Sequence, residues 1–292
     1  MHILFWNKIK KENNIDNDEN NKNDYNLIDS DIYKYEYIVA GENGLYHFNK
    51  SPYELDSLDN DKKSEISYKS AIIIYENYLV LTSNKVYPNG EDKLVFYDIK
   101  EKKIVKEIDG SFVGGINGLM VIELEYNKNI IICGCKKYIN NQKNGIIIIN
   151  LEFKDGNIII NPQKLEDTEN FEVNCFCQIN NEDNYNTKNI YFLVGGFEID
   201  KREGMIKLYR LFKNEDNYIL EYLQDIEIDN NDFEIFEGTI NCIIQYKKNG
   251  KIIVSCCDGK IYCFSKPNID YYLEDEIKDY SFLLDNLNNY FE

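Results

Sequence analysis

Five times along the chain, three large apolar residues are followed by two small ones. The copies are Tyr37-Ile38-Val39 with Ala40-Gly41, Leu79-Val80-Leu81 with Thr82-Ser83, Ile130-Ile131-Ile132 with Cys133-Gly134, Phe192-Leu193-Val194 with Gly195-Gly196, and Ile252-Ile253-Val254 with Ser255-Cys256. An internal repeat constrains architecture more than any composition does, because each copy is one supersecondary unit that needs neighbours to bury its apolar surface. After every small pair comes a polar turn, holding Asn43-Gly44, Asn89-Gly90, Asn144-Gly145, Glu203-Gly204 or Asp258-Gly259, and then a second apolar segment at 45–48, 94–97, 146–149, 206–209 or 261–264. Most of these pairs suit a hairpin that needs positive φ, so each unit contains a hairpin.

A third column precedes the hairpin. It is clearest in Ile116-Asn117-Gly118-Leu119, Val173-Asn174-Cys175-Phe176 and Ile240-Asn241-Cys242-Ile243, with weaker copies at Tyr68-Lys69-Ser70-Ala71 and Tyr25-Asn26-Leu27-Ile28. Fourth strands are expected at 103–108, 157–160 and 218–222. Four short strands per unit with no helical run between units is the logic of a propeller blade. A lone blade has two apolar faces, and stacking around an axis covers both, which accounts for near-continuous apolar strands such as Ile130-Ile131-Ile132. Small residues at the strand end then let adjacent blades approach.

The last unit, from Ile240-Asn241-Cys242 through Ser255-Cys256-Cys257-Asp258-Gly259-Lys260-Ile261-Tyr262-Cys263-Phe264, resembles the consensus of the WD40 repeat family, and Tyr97-Asp98 resembles the Trp-Asp dipeptide that ends such a repeat. The dipeptide positions elsewhere read Phe48-Asn49, Ile149-Asn150, Tyr209-Arg210 and Phe264-Ser265, and no Gly-His dipeptide precedes any unit. The family's buried hydrogen-bond tetrad is therefore not implied. A Kelch-type propeller is the rival, since Tyr191-Phe192-Leu193-Val194-Gly195-Gly196-Phe197 is similar to its double-glycine strand. The expected fold is all-β: a WD40-like β-propeller with about five recognisable four-stranded blades over 25–273, preceded by an apolar segment and polar linker at 1–24. The apolar stretch from His2 to Trp6 is a candidate outermost strand for the last blade. Five units are few for this family, so an open propeller completed by a partner chain is a second reading.

At 274–292 the pattern changes. Ile277, Tyr280, Leu284, Leu287 and Phe291 recur in steps of three and four, one face of an amphipathic C-terminal helix. Such a stripe needs a cover, in the same molecule or in a partner, which makes Leu284 and Leu287 candidate binding residues.

Charge narrows the partners. Lys and Arg total 33 against 51 Asp and Glu, a net charge of −18. Binding a phosphate backbone or an anionic bilayer needs clustered positive charge, so neither nucleic acid nor membrane is expected. A basic protein partner is one reading; the other is plain solvation, because the acids lie largely in the polar runs 13–24, 56–65 and 180–188, too polar to bury. No apolar run approaches the roughly 18 residues of a membrane span, and the N-terminal one is too short for a signal peptide, so an intracellular location, cytoplasmic or nuclear, is expected. Eight cysteines without dense spacing read as free thiols in a reducing compartment.

The chemistry of catalysis is sparse. His2 and His47 are the two histidines, too few for a multi-histidine metal site and poorly placed for a triad. Cys133-Gly134-Cys135, Cys175-Phe176-Cys177 and Cys256-Cys257 lack the two-residue gap of zinc hairpins and fall in small-residue columns of the repeat. No glycine-rich phosphate loop occurs. No catalytic residue, cofactor or metal is therefore assigned. The WD40 resemblance implies a non-catalytic protein-interaction scaffold or adaptor in an intracellular complex. The alternative is a propeller enzyme, a hydrolase or lyase with acidic residues at the central channel. If the scaffold has a docking surface, Asn117, Asn174 and Asn241 are its candidates, because residues entering the innermost strand lie near the channel mouth in this fold.

Overall fold

Every strand in the computed structural model answers to one of the repeat columns or lies beside one. The structure describes residues 3–10, 33–41, 44–48, 56–57, 66–75, 78–85, 93–101, 103–109, 115–125, 127–136, 143–154, 157–162, 166–179, 189–214, 217–226, 236–246 and 250–267. The first sheet has the order β1 (Ile3–Lys10), β2 (Tyr33–Gly41), β3 (Gly44–Phe48), β4 (Asp56–Ser57). The second runs β5 (Ile66–Ile74), β6 (Tyr78–Lys85), β7 (Lys93–Asp98), β8 (Lys103–Asp109). The third runs β9 (Gly115–Glu125), β10 (Lys128–Lys136), β11 (Asn144–Lys154), β12 (Asn157–Pro162), with β13 (Glu166–Glu169) also on β11. The fourth runs β14 (Phe171–Gln178), β15 (Asn189–Glu198), β16 (Glu203–Asn214), β17 (Asn217–Asp225), and the fifth β18 (Ile240–Gln245), β19 (Ile252–Cys256), β20 (Ile261–Phe264). All neighbours are antiparallel, so each sheet is a meander.

Sheet-on-sheet burial explains the unbroken apolar strands. In β10, Ile131, Cys133 and Cys135 pack with Val80, Leu94 and Phe96 of the second sheet. Their neighbours Ile130 and Ile132 pack with Phe171, Val173, Phe192 and Val194 of the fourth. Successive side chains of a strand point to opposite faces, and here both faces are dry. Each such side chain contributes about 1.5–3 kcal/mol when fully buried. Another cluster joins Leu193, Ile206 and Leu208 to Ile240, Ile243, Ile252 and Val254 of the fifth sheet. The first strands β5, β9, β14 and β18 pack against one another in that order and form the inner ring. The outer strands β8, β12 and β17 are largely exposed.

At the ends of the sheets, Tyr75 holds the second against the third. It adopts φ 47°, unusual for a bulky residue, and its hydroxyl donates to Asn127 O at 3.0 Å while its ring meets Phe153 at 5.5 Å. Burial pushes its pKa up from 10.0 to about 12.

Several expectations need correction. Among the described residues four sheets have four strands or more, whereas the fifth has three, so four blades are complete and not five. β20 stops at Phe264, and Pro267, which has no N–H to give a ladder, follows. The N-terminal strand β1 pairs with β2 from Ile3↔Ala40 to Lys10↔Tyr33 and is not the outer strand of the last blade. The third small pair is displaced by one residue: Gly134 faces Ile146 as Thr82 faces Leu94 and Gly195 faces Ile206, so Gly134-Cys135 is the pair and Cys133 belongs to the apolar column. Asn144-Gly145 and Glu203-Gly204 open strands and do not form turns. Positive φ in the fourth hairpin falls on Arg202, at 56°. Gly204 is small for a different reason, because a Cβ there would strike Gly238 O. The helix expected at 274–292, with Leu284 and Leu287, lies outside the described residues.

Candidate interaction surface

The third-column residues share a backbone irregularity. In β9 the register jumps so that Ile116 faces Cys135 and Gly118 faces Gly134, leaving Asn117 as the extra residue. Asn174 is the extra residue of β14, between Val173↔Gly196 and Cys175↔Gly195. Asn241 is that of β18, between Ile240↔Cys256 and Cys242↔Ser255. A β-bulge re-aims a side chain and bends the strand that carries it. β5 has the same bulge at Lys69, between Tyr68↔Ser83 and Ser70↔Thr82, where Thr82 Oγ1 accepts from Ser70 N at 2.9 Å. Four inner strands are thus bulged at one repeat position.

The asparagines link neighbouring blades. Asn117 Nδ2 donates to Asn174 Oδ1 at 3.1 Å, and Asn174 Nδ2 donates to Ile240 O at 3.3 Å. Asn241 is exposed, and its Oδ1 accepts from Cys257 Sγ at 3.3 Å. Asparagine at a strand entrance usually bonds its own local backbone; here the bonds of Asn117 and Asn174 cross from one sheet to the next. Glycine makes the approach possible: a Cβ on Gly118 would lie 2.5 Å from Asn174 O, and one on Gly195 would lie 2.7 Å from Ile240 Cγ2. Lys136 and Glu172 add an ion pair at 2.7 Å across the same boundary. The structure therefore joins Asn117 and Asn174 directly and carries the ladder to the main chain of Ile240, the residue before Asn241. Lys69 was missed in the sequence because its side chain differs, although its column was recognised.

The thiols nearby are not activated. Burial pushes the Cys175 and Cys133 thiols well up, and that of Cys177 up to about 11. Nucleophilic and metal-ligating cysteines need the opposite shift. Among the described residues no three His, Cys, Asp or Glu side chains are grouped to hold a metal ion. Arg210 is engaged by Glu221, its Nε donating to Oε2 at 2.8 Å. No helix among the described residues is long and apolar enough to cross a membrane.

No protein-family model matches the chain, and no curated protein matches it. Solved structures do. The β-propeller domain of Myceliophteria thermophila Cps50 (Swd1) is similar at a TM-score of 0.50 and 11% identity, covering 80% of this chain and 67% of that one. Extracellular domains 1–2 of Drosophila semaphorin 1a give a TM-score of 0.46 at 6% identity, covering 79% and 62%. The N-terminal domain of Nup159 gives 0.34 at 9%, covering 78% and 72%. Together with the sheet stacking, the likeness to the first defines the class: this is an all-β protein of the β-propeller fold. Identity at that level carries the fold and not the function.

Proposed function

We propose that the chain is a non-catalytic protein-interaction scaffold of the WD40 type whose docking surface is the bulged inner-strand column. The observation that supports this reading is the repetition of one bulge in four inner strands, three of them presenting asparagine. Amides hold both donors and acceptors, and a rigid array of them recognises a peptide surface with little ordering cost. Asn241, exposed at the end of the ladder, is the residue offered most directly. The net charge of −18 selects a basic partner by steering its encounter. On this reading the protein works inside the cell, in cytoplasm or nucleus, and the outer edge of the last sheet, three-stranded among the described residues, is where a partner chain would add a strand.

The test starts from co-purification of the tagged chain from its native cell and mass spectrometry of what it retains. The recovered partner should be lost from Asn241→Ala, which alters an exposed side chain, and its association with the purified wild type should slow as salt rises, because exposed charges are screened over about 8 Å at physiological ionic strength. Undiminished recovery by Asn241→Ala and by the Asn117, Asn174, Asn241 triple alanine variant refutes the site. An association rate indifferent to salt refutes the steering.

A further inference from the structure

Three equivalent positions, read through the strand registers, measure how far each sheet is covered by the next. They are Val80, Leu94 and Phe96 in the second sheet, each 0% exposed, and Ile132, Ile146 and Ile148 in the third, 0–1% exposed. In the fourth they are Leu193, Ile206 and Leu208, again 0–1% exposed beneath the fifth. The fifth sheet places Ile253, Ile261 and Cys263 there, and Ile261 is 75% exposed. The inner strand extends the same face. Cys242, Ser255 and Ile261 form one cross-strand row, and Ile244, Ile253 and Cys263 the next, with Ile244 51% exposed. This face has the residues of a blade-to-blade interface. No strand of the first sheet packs extensively on it among the described residues.

We propose that this face is covered by the chain's own segment 274–292, folded as an amphipathic helix with Ile277, Tyr280, Leu284, Leu287 and Phe291 turned to the sheet. The chain leaves β20, the outer strand of this same sheet, and residues 268–273 can span up to about 20 Å, enough to return across three strands spaced about 4.8 Å apart. A helix over 274–292 is about 28 Å long, longer than the roughly 20 Å of the six-residue β18 and so able to cover the whole face. Charge agrees: Lys251, Lys260 and Lys266 stand at the strand ends of the sheet, whereas the segment carries Glu274, Asp275, Glu276, Asp279 and Asp285 against Lys278. A second copy of the chain would instead bring another net −18 to the contact.

A double-mutant cycle on the full chain tests the assignment. Ile261→Ala and the pair Leu284→Ala, Leu287→Ala should each lower the melting temperature by roughly 5 °C or more. The combination should fall short of the sum, at a melting temperature independent of protein concentration. Wild-type protein treated with a carbodiimide should form intramolecular crosslinks from Lys260 or Lys266 to Asp279 or Asp285, a readout that needs no altered chain. Unchanged melting of Ile261→Ala, strictly additive effects, absence of those crosslinks, or a wild-type dimer dispersed by the same substitutions would each overturn the proposal. The dimer result would make a second copy the cover.

Discussion

Gly118→Ala is the sharpest single test of the stacked-blade geometry. Its φ is not in the positive range, so replacing glycine by alanine on backbone grounds alone should stabilise the protein by about 0.4–1 kcal/mol. Space decides otherwise. The added Cβ would lie 2.5 Å from Asn174 O, 2.9 Å from Asn174 C and 3.2 Å from Cys175 N, all main-chain atoms of the adjacent sheet's bulge. Main chain cannot swing aside, so the boundary between the third and fourth sheets must open or the bulge must shift, and the Asn117–Asn174 hydrogen bond lies in the path of either movement. Overpacking of this kind costs about 1–3 kcal/mol, and a backbone obstacle sets the upper end. The net expectation is a loss of about 2 kcal/mol, or roughly 4–8 °C in melting temperature for a domain of this size class. Gly195→Ala supplies the comparison. Its Cβ would meet Ile240 Cγ2 and Ile243 Cδ1 at 2.7 Å and Cys175 Sγ at 2.8 Å, side-chain atoms that yield more readily than main chain, and it should lose about half as much. Thermal melts followed by circular dichroism, with urea titrations at one temperature, measure both. Gly118→Ala melting at or above wild type, or below it by less than Gly195→Ala, would refute the stacking of β9 on β14.

Two solution measurements address the buried groups. Under mild alkylation at slightly alkaline pH, peptide mapping should find Cys257 modified first and Cys133, Cys175 and Cys177 spared, because burial raises the latter three thiols; early labelling of Cys175 would contradict its place between sheets. Tyr75 has a folded pKa of about 12 against 10.0 unfolded, so its contribution is whole below pH 10 and is lost as pH rises toward 12. The stability advantage of wild type over Tyr75→Phe should shrink across that interval, and a constant difference would show that the hydroxyl is not held as described.

Much of this architecture could be read in the residues because the middle strands are buried on both faces. Leu79-Val80-Leu81 and Phe192-Leu193-Val194 stay apolar without alternation, and the same property marked their units as sheets stacked between sheets. That property also hid the register. In Ile130-Ile131-Ile132-Cys133 no polar residue breaks the run, so the small pair was placed one position early, and only pairing of Gly134 with Ile146 fixes it. β13 gave no signal, since Glu166-Asp167-Thr168-Glu169 is wholly polar; it is held by Lys143 to Asp167 at 2.5 Å and by Asn144 Nδ2 donating to Glu169 O at 2.8 Å. The candidate asparagines were legible as a column, but the bulge was not, because a bulge is a relation between two strands and leaves no composition of its own.

The ladder and the sheet face left exposed among the described residues meet at the fifth sheet, and this separates the two roles proposed for it. Along the inner ring each asparagine amide reaches the sheet that follows: Asn117 reaches Asn174, and Asn174 reaches Ile240. Asn241 occupies the third place in that series, yet among the described residues no further inner strand receives it, and its carbonyl instead takes the Cys257 thiol. On the proposed reading, preorganisation by the two earlier links suits the last one to recognition, since a side chain carried on a fixed bulge loses little freedom on binding. Ile261 sits one strand pair away, in the row that contains Ser255 and Cys242, and its exposed surface is apolar. The two therefore answer to different perturbations. Asn241→Ala should leave melting unchanged and weaken partner retention, whereas Ile261→Ala should lower melting and leave retention intact, provided the sheet face is covered by the chain itself. Should Ile261→Ala instead spare melting and abolish retention, the last sheet is the partner's seat, and the open end of the propeller rather than its inner column is where the scaffold binds.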